Sequence, residues 1–106
     1  MEMKLALRVD DSDNVATVFA NDVTDGTVME VRDKKGGSEQ IRVRGDIPYG
    51  HKIAVCDIAA GERIMKYGEC IGEASRDICR GDYVHVHNMK ALRGRGDLGT
   101  GREQEQ

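Results

Sequence analysis

Asp46-Ile47-Pro48-Tyr49-Gly50-His51-Lys52-Ile53-Ala54-Val55 is a turn that runs at once into a short alternating strand. Its first five residues are one of four copies of Asp-[Ile/Val]-x-x-Gly in the chain. The others are Asp22-Val23-Thr24-Asp25-Gly26, Asp57-Ile58-Ala59-Ala60-Gly61 and Asp77-Ile78-Cys79-Arg80-Gly81. Each residue type has a physical use in a turn. The Asp carboxylate can accept hydrogen bonds from backbone N–H groups just downstream. The Ile or Val can be buried beneath the turn. The Gly supplies a positive φ where the chain re-enters a strand, and Pro48 arrives with φ already fixed. Four such turns in so short a chain predict a compact, mainly β fold of turns and short strands, with a polar site built onto it.

The strands between the turns read outward from there. Leu5-Ala6-Leu7-Arg8-Val9 predicts a first strand. Asp10, Asp11, Ser12 and Asp13 are N-cap candidates, and Val15, Val18 and Phe19 follow at helical spacing, which predicts one short N-terminal helix from about Asp13 to Asn21. Asp33-Lys34-Lys35-Gly36-Gly37-Ser38 reads as a polar hairpin loop with Gln40-Ile41-Arg42-Val43-Arg44 as its return strand. In the last strand Val84 and Val86 would face one side, and Tyr83, His85 and His87 the other. The pattern divides the chain into a domain over 1–90 and a flexible tail or linker over 91–106. Arg95-Gly96-Asp97 in that tail is only a weak adhesion signal.

Composition narrows the function classes. The chain has 106 residues, which fits one domain with a modest core. Its aromatic residues are Phe19, Tyr49, Tyr67 and Tyr83, so aliphatic side chains must fill the interior. A net charge of -3 with both signs intermixed argues against a nucleic-acid binder, which needs a basic face for phosphates. No apolar run approaches a membrane span, and the N-terminus reads as a strand rather than a signal peptide. Cys56, Cys70 and Cys79 lack CxxC spacing; they are expected as small buried packing residues in a reducing cytoplasm, not as a disulfide framework or zinc site.

All three histidines lie just beyond a repeated turn. On a strand, His85 and His87 would share a face with Cα atoms roughly 6.5–7 Å apart. That spacing lets two imidazoles converge on one metal ion (Fe, Zn, Ni or Cu) or on one anion, or leaves both simply solvated. His51 follows Gly50, where the backbone can approach a ligand closely. Lys66 could neutralise a carboxylate and Tyr67 could donate a hydrogen bond, and Arg93 and Arg95 could clamp carboxylates. Nucleotide loops, nucleophile elbows and Rossmann signatures are missing, so a self-sufficient enzyme is not expected.

Taken together, four stretches occur in a telling order. They are Ile47-Pro48-Tyr49-Gly50-His51-Lys52-Ile53-Ala54, Asp57-Ile58-Ala59-Ala60-Gly61-Glu62-Arg63-Ile64-Met65-Lys66-Tyr67-Gly68, Ile71-Gly72-Glu73-Ala74 and Gly81-Asp82-Tyr83-Val84-His85-Val86-His87-Asn88. With Asp13-Asn14-Val15-Ala16 and Leu92-Arg93-Gly94-Arg95-Gly96-Asp97-Leu98 they resemble the small N-terminal SAF domain of the altronate/galactarate dehydratase family. The resemblance covers most of residues 5–98.

The resemblance implies a β-clip (SAF-like) fold and one part of a sugar-acid dehydratase, a lyase that converts a polyhydroxy acid to a 2-keto-3-deoxy acid, typically with Fe2+. It implies a large catalytic subunit as partner, with the isolated small chain inactive, and leaves homo-oligomers open. Carried over by motif, His51, His85 and His87 are the expected catalytic residues, with His85 and His87 as metal ligands. Lys52, Lys66, Tyr67 and Asn88 are the expected substrate contacts. The small subunit of sulfolactate sulfo-lyase resembles the same domain, and the Arg-Gly-Arg-Gly-Asp-Leu ending favours the sugar-acid branch. A non-catalytic module that binds an acidic sugar, and a purely structural subunit, are the alternatives of another class.

Overall fold

The computed structural model describes residues 3–91; the expected tail, with Arg93, Arg95 and the Arg-Gly-Asp triplet, lies outside the described residues. Among the described residues nine strands make two sheets: β1 Lys4–Arg8, β2 Val15–Val18, β3 Val28–Asp33, β4 Ser38–Arg42, β5 Lys52–Ala54, β6 Arg63–Lys66, β7 Glu69–Ala74, β8 Tyr83–Val84 and β9 Met89–Ala91. The larger sheet has the order β4-β3-β1-β2-β5-β8 and the smaller β6-β7-β9. Every pairing is antiparallel except β1 with β3. The chain is mainly β, and its folded-over hairpins fit the β-clip expectation. No helix among the described residues is long and apolar enough to cross a membrane.

The four repeated turns come in two pairs, and they organise two cores. Val23 bridges Ile47, and Ile58 bridges Ile78. Val23 and Ile47 are buried in one cluster with Met29, Ile41 and Ile53. Ile58 and Ile78 are buried in the other with Ile64, Val84 and Met89. Gly26, Gly50, Gly61 and Gly81 all have positive φ, from 83 to 97°, as type II turns require.

The expected use of the Asp side chains needs correction. In three of the four turns the carboxylate caps the partner turn, not its own. Asp46 accepts from Asp25 N–H at 3.1 Å, Asp57 from Arg80 N–H at 2.9 Å and Asp77 from Ala60 N–H at 2.9 Å. The glycine N–H groups cross in the same way, to the strand ends that lead into the partner turn: Gly26 to Val43, Gly50 to Val18, Gly61 to Ala74 and Gly81 to Ala54. Two chain reversals laid against each other satisfy backbone groups that neither could satisfy alone.

The expected helix over Asp13–Asn21 is a strand. Ala16 and Val18 enter one core and Val15 the other, and all four residues of β2 are buried. Burial on both faces suits a short run rich in β-branched residues better than a one-sided helix. Asp13, read as a helix cap, is 4% exposed and instead accepts the N–H groups of Asp10, Tyr67 and Gly68 at 2.8–3.1 Å. Asn14 pairs likewise with Met65 N–H and Arg63 C=O at 2.8 and 2.9 Å, joining the two sheets.

Two further expectations are corrected. Cys56 and Cys79 are exposed rather than buried, and Cys70 is half-buried; all three are free thiols. Cys56 and Cys79 sit on turns whose single apolar anchor, Ile58 or Ile78, already fills the space beneath. The strand expected to run from Tyr83 to His87 stops at Val84 as β8, and His85–Asn88 form a turn before β9. Val86 stands at its tip, 73% exposed, instead of sharing a buried face with Val84.

Candidate functional site

The second repeated turn differs from the others at one residue, and that residue prepares the site. In each turn the backbone N–H after the glycine closes the reversal onto the third motif residue, at 2.9–3.1 Å. In three turns the side chain after the glycine also caps the third residue's N–H. Thr27 accepts from Thr24 at 3.2 Å, Glu62 from Ala59 at 2.6 Å and Asp82 from Cys79 at 2.7 Å. In the second turn the third residue is Pro48, which has no N–H to cap. The side chain after Gly50 is therefore released from turn duty, and it is His51.

His51 turns towards β8. Its Nδ1 lies 2.8 Å from the Tyr83 hydroxyl. The Tyr83 ring is the hub of the cluster: it stacks on His85 with centroids 5.6 Å apart and planes 9° apart, and contacts His87 at 5.3 Å and His51 at 5.5 Å. His51 and His85 are 4.9 Å apart. The structure thus brings His51, His85 and His87 together, though His85 and His87 lie on a turn rather than one strand face. Tyr83 was missed as a site residue. Its signal was its place on the same strand phase as the two histidines.

Asn88 makes that turn. Its carboxamide accepts His85 N–H at 3.0 Å and donates to Tyr83 C=O at 2.9 Å, and the residue is 4% exposed. It holds the backbone that carries His85. Gly81, at the entry to β8, admits no side chain: a Cβ there would lie 2.3 Å from the Arg42 carbonyl oxygen.

Lysines flank the cluster. Lys52 pairs with both Thr17 and Val84 in the sheet. Burial, reinforced by the charge of Lys66, pulls its ammonium below the usual lysine range. Lys66 lies 5.0 Å over the ring of Tyr67, whose hydroxyl is 3.5 Å from Thr17 Oγ1. Tyr67 is held at a φ of 57° beside Gly68 by the Asp13 carboxylate. His85 is likewise held below the usual imidazole range, chiefly by burial and further by His51, Lys52 and His87. Its ring is partly exposed, but Nδ1 is sealed and has no hydrogen-bond partner.

The arrangement can offer imidazole, ammonium and phenol groups to an oxygen-rich anion. As a metal centre it is incomplete. Among the described residues no group of three His, Cys, Asp or Glu side chains is placed to hold a metal ion, so His85 and His87 do not fit the expected Fe2+ without ligands from elsewhere.

Similarity to known proteins converges on one family. Residues 4–92 match the altronate/galactarate dehydratase SAF domain. Altronate dehydratase of Escherichia coli is 41% identical over 78 residues, which is 74% of this chain and 14% of that protein. Altronate dehydratase of Bacillus subtilis is 42% identical over 72 residues, again 14% of its length. The chain thus spans a small fraction of these relatives. The (2R)-sulfolactate sulfo-lyase subunit alpha of Chromohalobacter salexigens is 38% identical over 79 residues, which is 74% of this chain and 80% of the relative. With a match spanning nearly all of the described fold, the chain belongs to the altronate/galactarate dehydratase SAF domain family.

Proposed function

We propose that this chain is the small subunit of a sugar-acid dehydratase, removing water from a polyhydroxy acid to give a 2-keto-3-deoxy acid together with a large catalytic subunit. The observation that carries this reading is the convergence of His51, Tyr83 and His85, flanked by Lys52, on one face of a domain whose relatives are named dehydratases. Dehydration needs removal of the proton α to a carboxylate and help for the departing β-hydroxyl. Lys52 and Lys66 supply charge for the acid groups, the exposed Tyr67 and His87 are accessible to substrate, and the histidines serve the reacting oxygens. The α-proton base is assigned to the large subunit, as are the main ligands of any Fe2+. The free, exposed Cys56 and Cys79 support a reducing, cytoplasmic setting.

A second reading, the small subunit of sulfolactate sulfo-lyase, is favoured by one observation. The alpha subunits are matched over 80% and 81% of their own lengths. Both readings place the carboxylate of an α-hydroxy acid near the lysines, and they differ in whether water or sulfite leaves.

Co-expression with the candidate large subunit, then assay on altronate, galactarate and sulfolactate with Fe2+, tests both. Turnover is expected only from the assembled pair, and the substrate that reacts selects the branch. Dehydratase activity of the isolated chain would refute the subunit reading. Activity of the pair surviving a His85→Ala/His87→Ala double change would remove the site assignment. Binding of galactarate by the pair without turnover of any substrate would favour a non-catalytic module.

A further inference from the structure

We infer that the neutral imidazoles of His51 and His85 carry their proton on Nε2, so that in this form they act as hydrogen-bond donors to substrate oxygen and not as bases or metal ligands through that atom. Two independent observations fix the two rings. For His51, Nδ1 faces the Tyr83 hydroxyl at 2.8 Å. A tyrosine hydroxyl keeps its proton at neutral pH, and His51 Nδ1 is its one partner among the described residues. Tyr83 O–H therefore donates, Nδ1 accepts, and the ring proton stays on Nε2.

For His85 the argument is one of exclusion. Nδ1 is sealed from solvent and has no hydrogen-bond partner. A buried N–H without an acceptor is rarer and more costly than a buried acceptor left bare. Nδ1 is therefore the bare nitrogen, and Nε2 carries the proton. A metal bound at His85 Nε2 would force the proton onto Nδ1, where nothing accepts it; metal-binding histidines ordinarily hand that second N–H to a carboxylate or carbonyl. For His51 the same change would reverse the Tyr83 contact, making Nδ1 the donor and the hydroxyl oxygen the acceptor.

Tyr83 is thus a positioning residue: it sets the tautomer of His51 and stacks on His85. Asn88 is another, since it fixes the backbone of His85. That the two Nε2–H groups serve a hydroxy acid rests on the dehydratase reading; the tautomers themselves do not.

Long-range 1H–15N correlation spectra of the labelled 106-residue chain, recorded above the histidine titration range, read the tautomers directly. Nε2–H is expected for both His51 and His85. Nδ1–H at either ring would overturn the assignment for that ring. In Tyr83→Phe, His51 is expected to relax to a mixture of tautomers while His85 keeps its Nε2–H form; an unchanged His51 pattern would overturn the role of Tyr83. The wild-type spectrum decides the tautomers even if that variant does not fold. Stoichiometric Zn2+ is expected to leave both rings unshifted, and a Zn2+-induced switch of His85 to Nδ1–H would overturn its exclusion as a ligand. Failure of the assembled pair to dehydrate any hydroxy acid would remove the functional reading and leave these spectra standing.

Discussion

The turn pair Asp22–Gly26 with Asp46–Gly50 and the turn pair Asp57–Gly61 with Asp77–Gly81 share one motif, one crossed pattern of glycine hydrogen bonds and one bridge between buried aliphatics. They differ in the side chain after the glycine. In the second pair both such side chains, Glu62 and Asp82, cap their own turns. In the first pair Thr27 does so, but Pro48 leaves no N–H for His51 to cap. The scaffold and the site are therefore made from the same unit. A missing backbone donor turns a structural position into one free for chemistry.

The largest effects should come from what the pairs share. Ile78→Ala and Ile47→Ala each empty a fully buried position under a turn and should cost about 2–5 kcal/mol. Chemical denaturation checks this, and a loss under about 1 kcal/mol at both would mean that the turns are not anchored by these residues.

Next come the glycines, where the pairs are not equivalent. Gly61→Ala meets only the positive φ, since no atom lies within 4 Å of its Cβ, and should cost about 1–2 kcal/mol. Gly81→Ala adds a Cβ 2.3 Å from the Arg42 carbonyl oxygen and should cost more. Equal losses in the two variants would show that the close approach of Gly81 to Arg42 carries no weight.

The side chains after the glycines sharpen the contrast. Glu62→Ala removes the cap on Ala59 and should cost about 1 kcal/mol. His51→Ala removes no turn cap; it should cost only the Tyr83 hydrogen bond, about 1 kcal/mol or less, while depressing turnover of the assembled enzyme. Pro48→Ala restores an uncapped N–H, and adding His51→Asp should recover stability, because a carboxylate there can cap as Asp82 does. If the double variant were no more stable than Pro48→Ala alone, the explanation for the freedom of His51 would fall.

The smallest effect is on pH dependence. Burial and the neighbouring His51, Lys52 and His87 hold folded His85 below its ordinary 6.5. Between that depressed value and 6.5 the unfolded chain binds the extra proton, so stability is present above 6.5 and is lost as pH falls through the folded value. His85→Gln should lessen the drop in stability between neutral and mildly acidic pH. Histidine titration by NMR should place His85 below 6.5; a value above it would contradict the sealed position of Nδ1.

Much of this was legible in the chain. The Asp-[Ile/Val]-x-x-Gly motif gave the turns, their buried anchors and their positive-φ glycines, because each rests on local chemistry of one residue type. The same motif pointed to His51 and His85, since the histidines lie just beyond the turns that end at Gly50 and Gly81. Tertiary structure alone decided the rest. Val15–Val18 carries apolar spacing compatible with a helix, and only a core on each side makes it a strand. Asp13, Asp46, Asp57 and Asp77 are all good local caps, but each bonds across to a distant segment that the fold lays against it. Tyr83 became the centre of the site only when β5 and β8 were paired, placing its hydroxyl on His51 across 32 residues of chain. Local chemistry is written in neighbouring residues; a proton's location on an imidazole depends on whatever the fold sets against it.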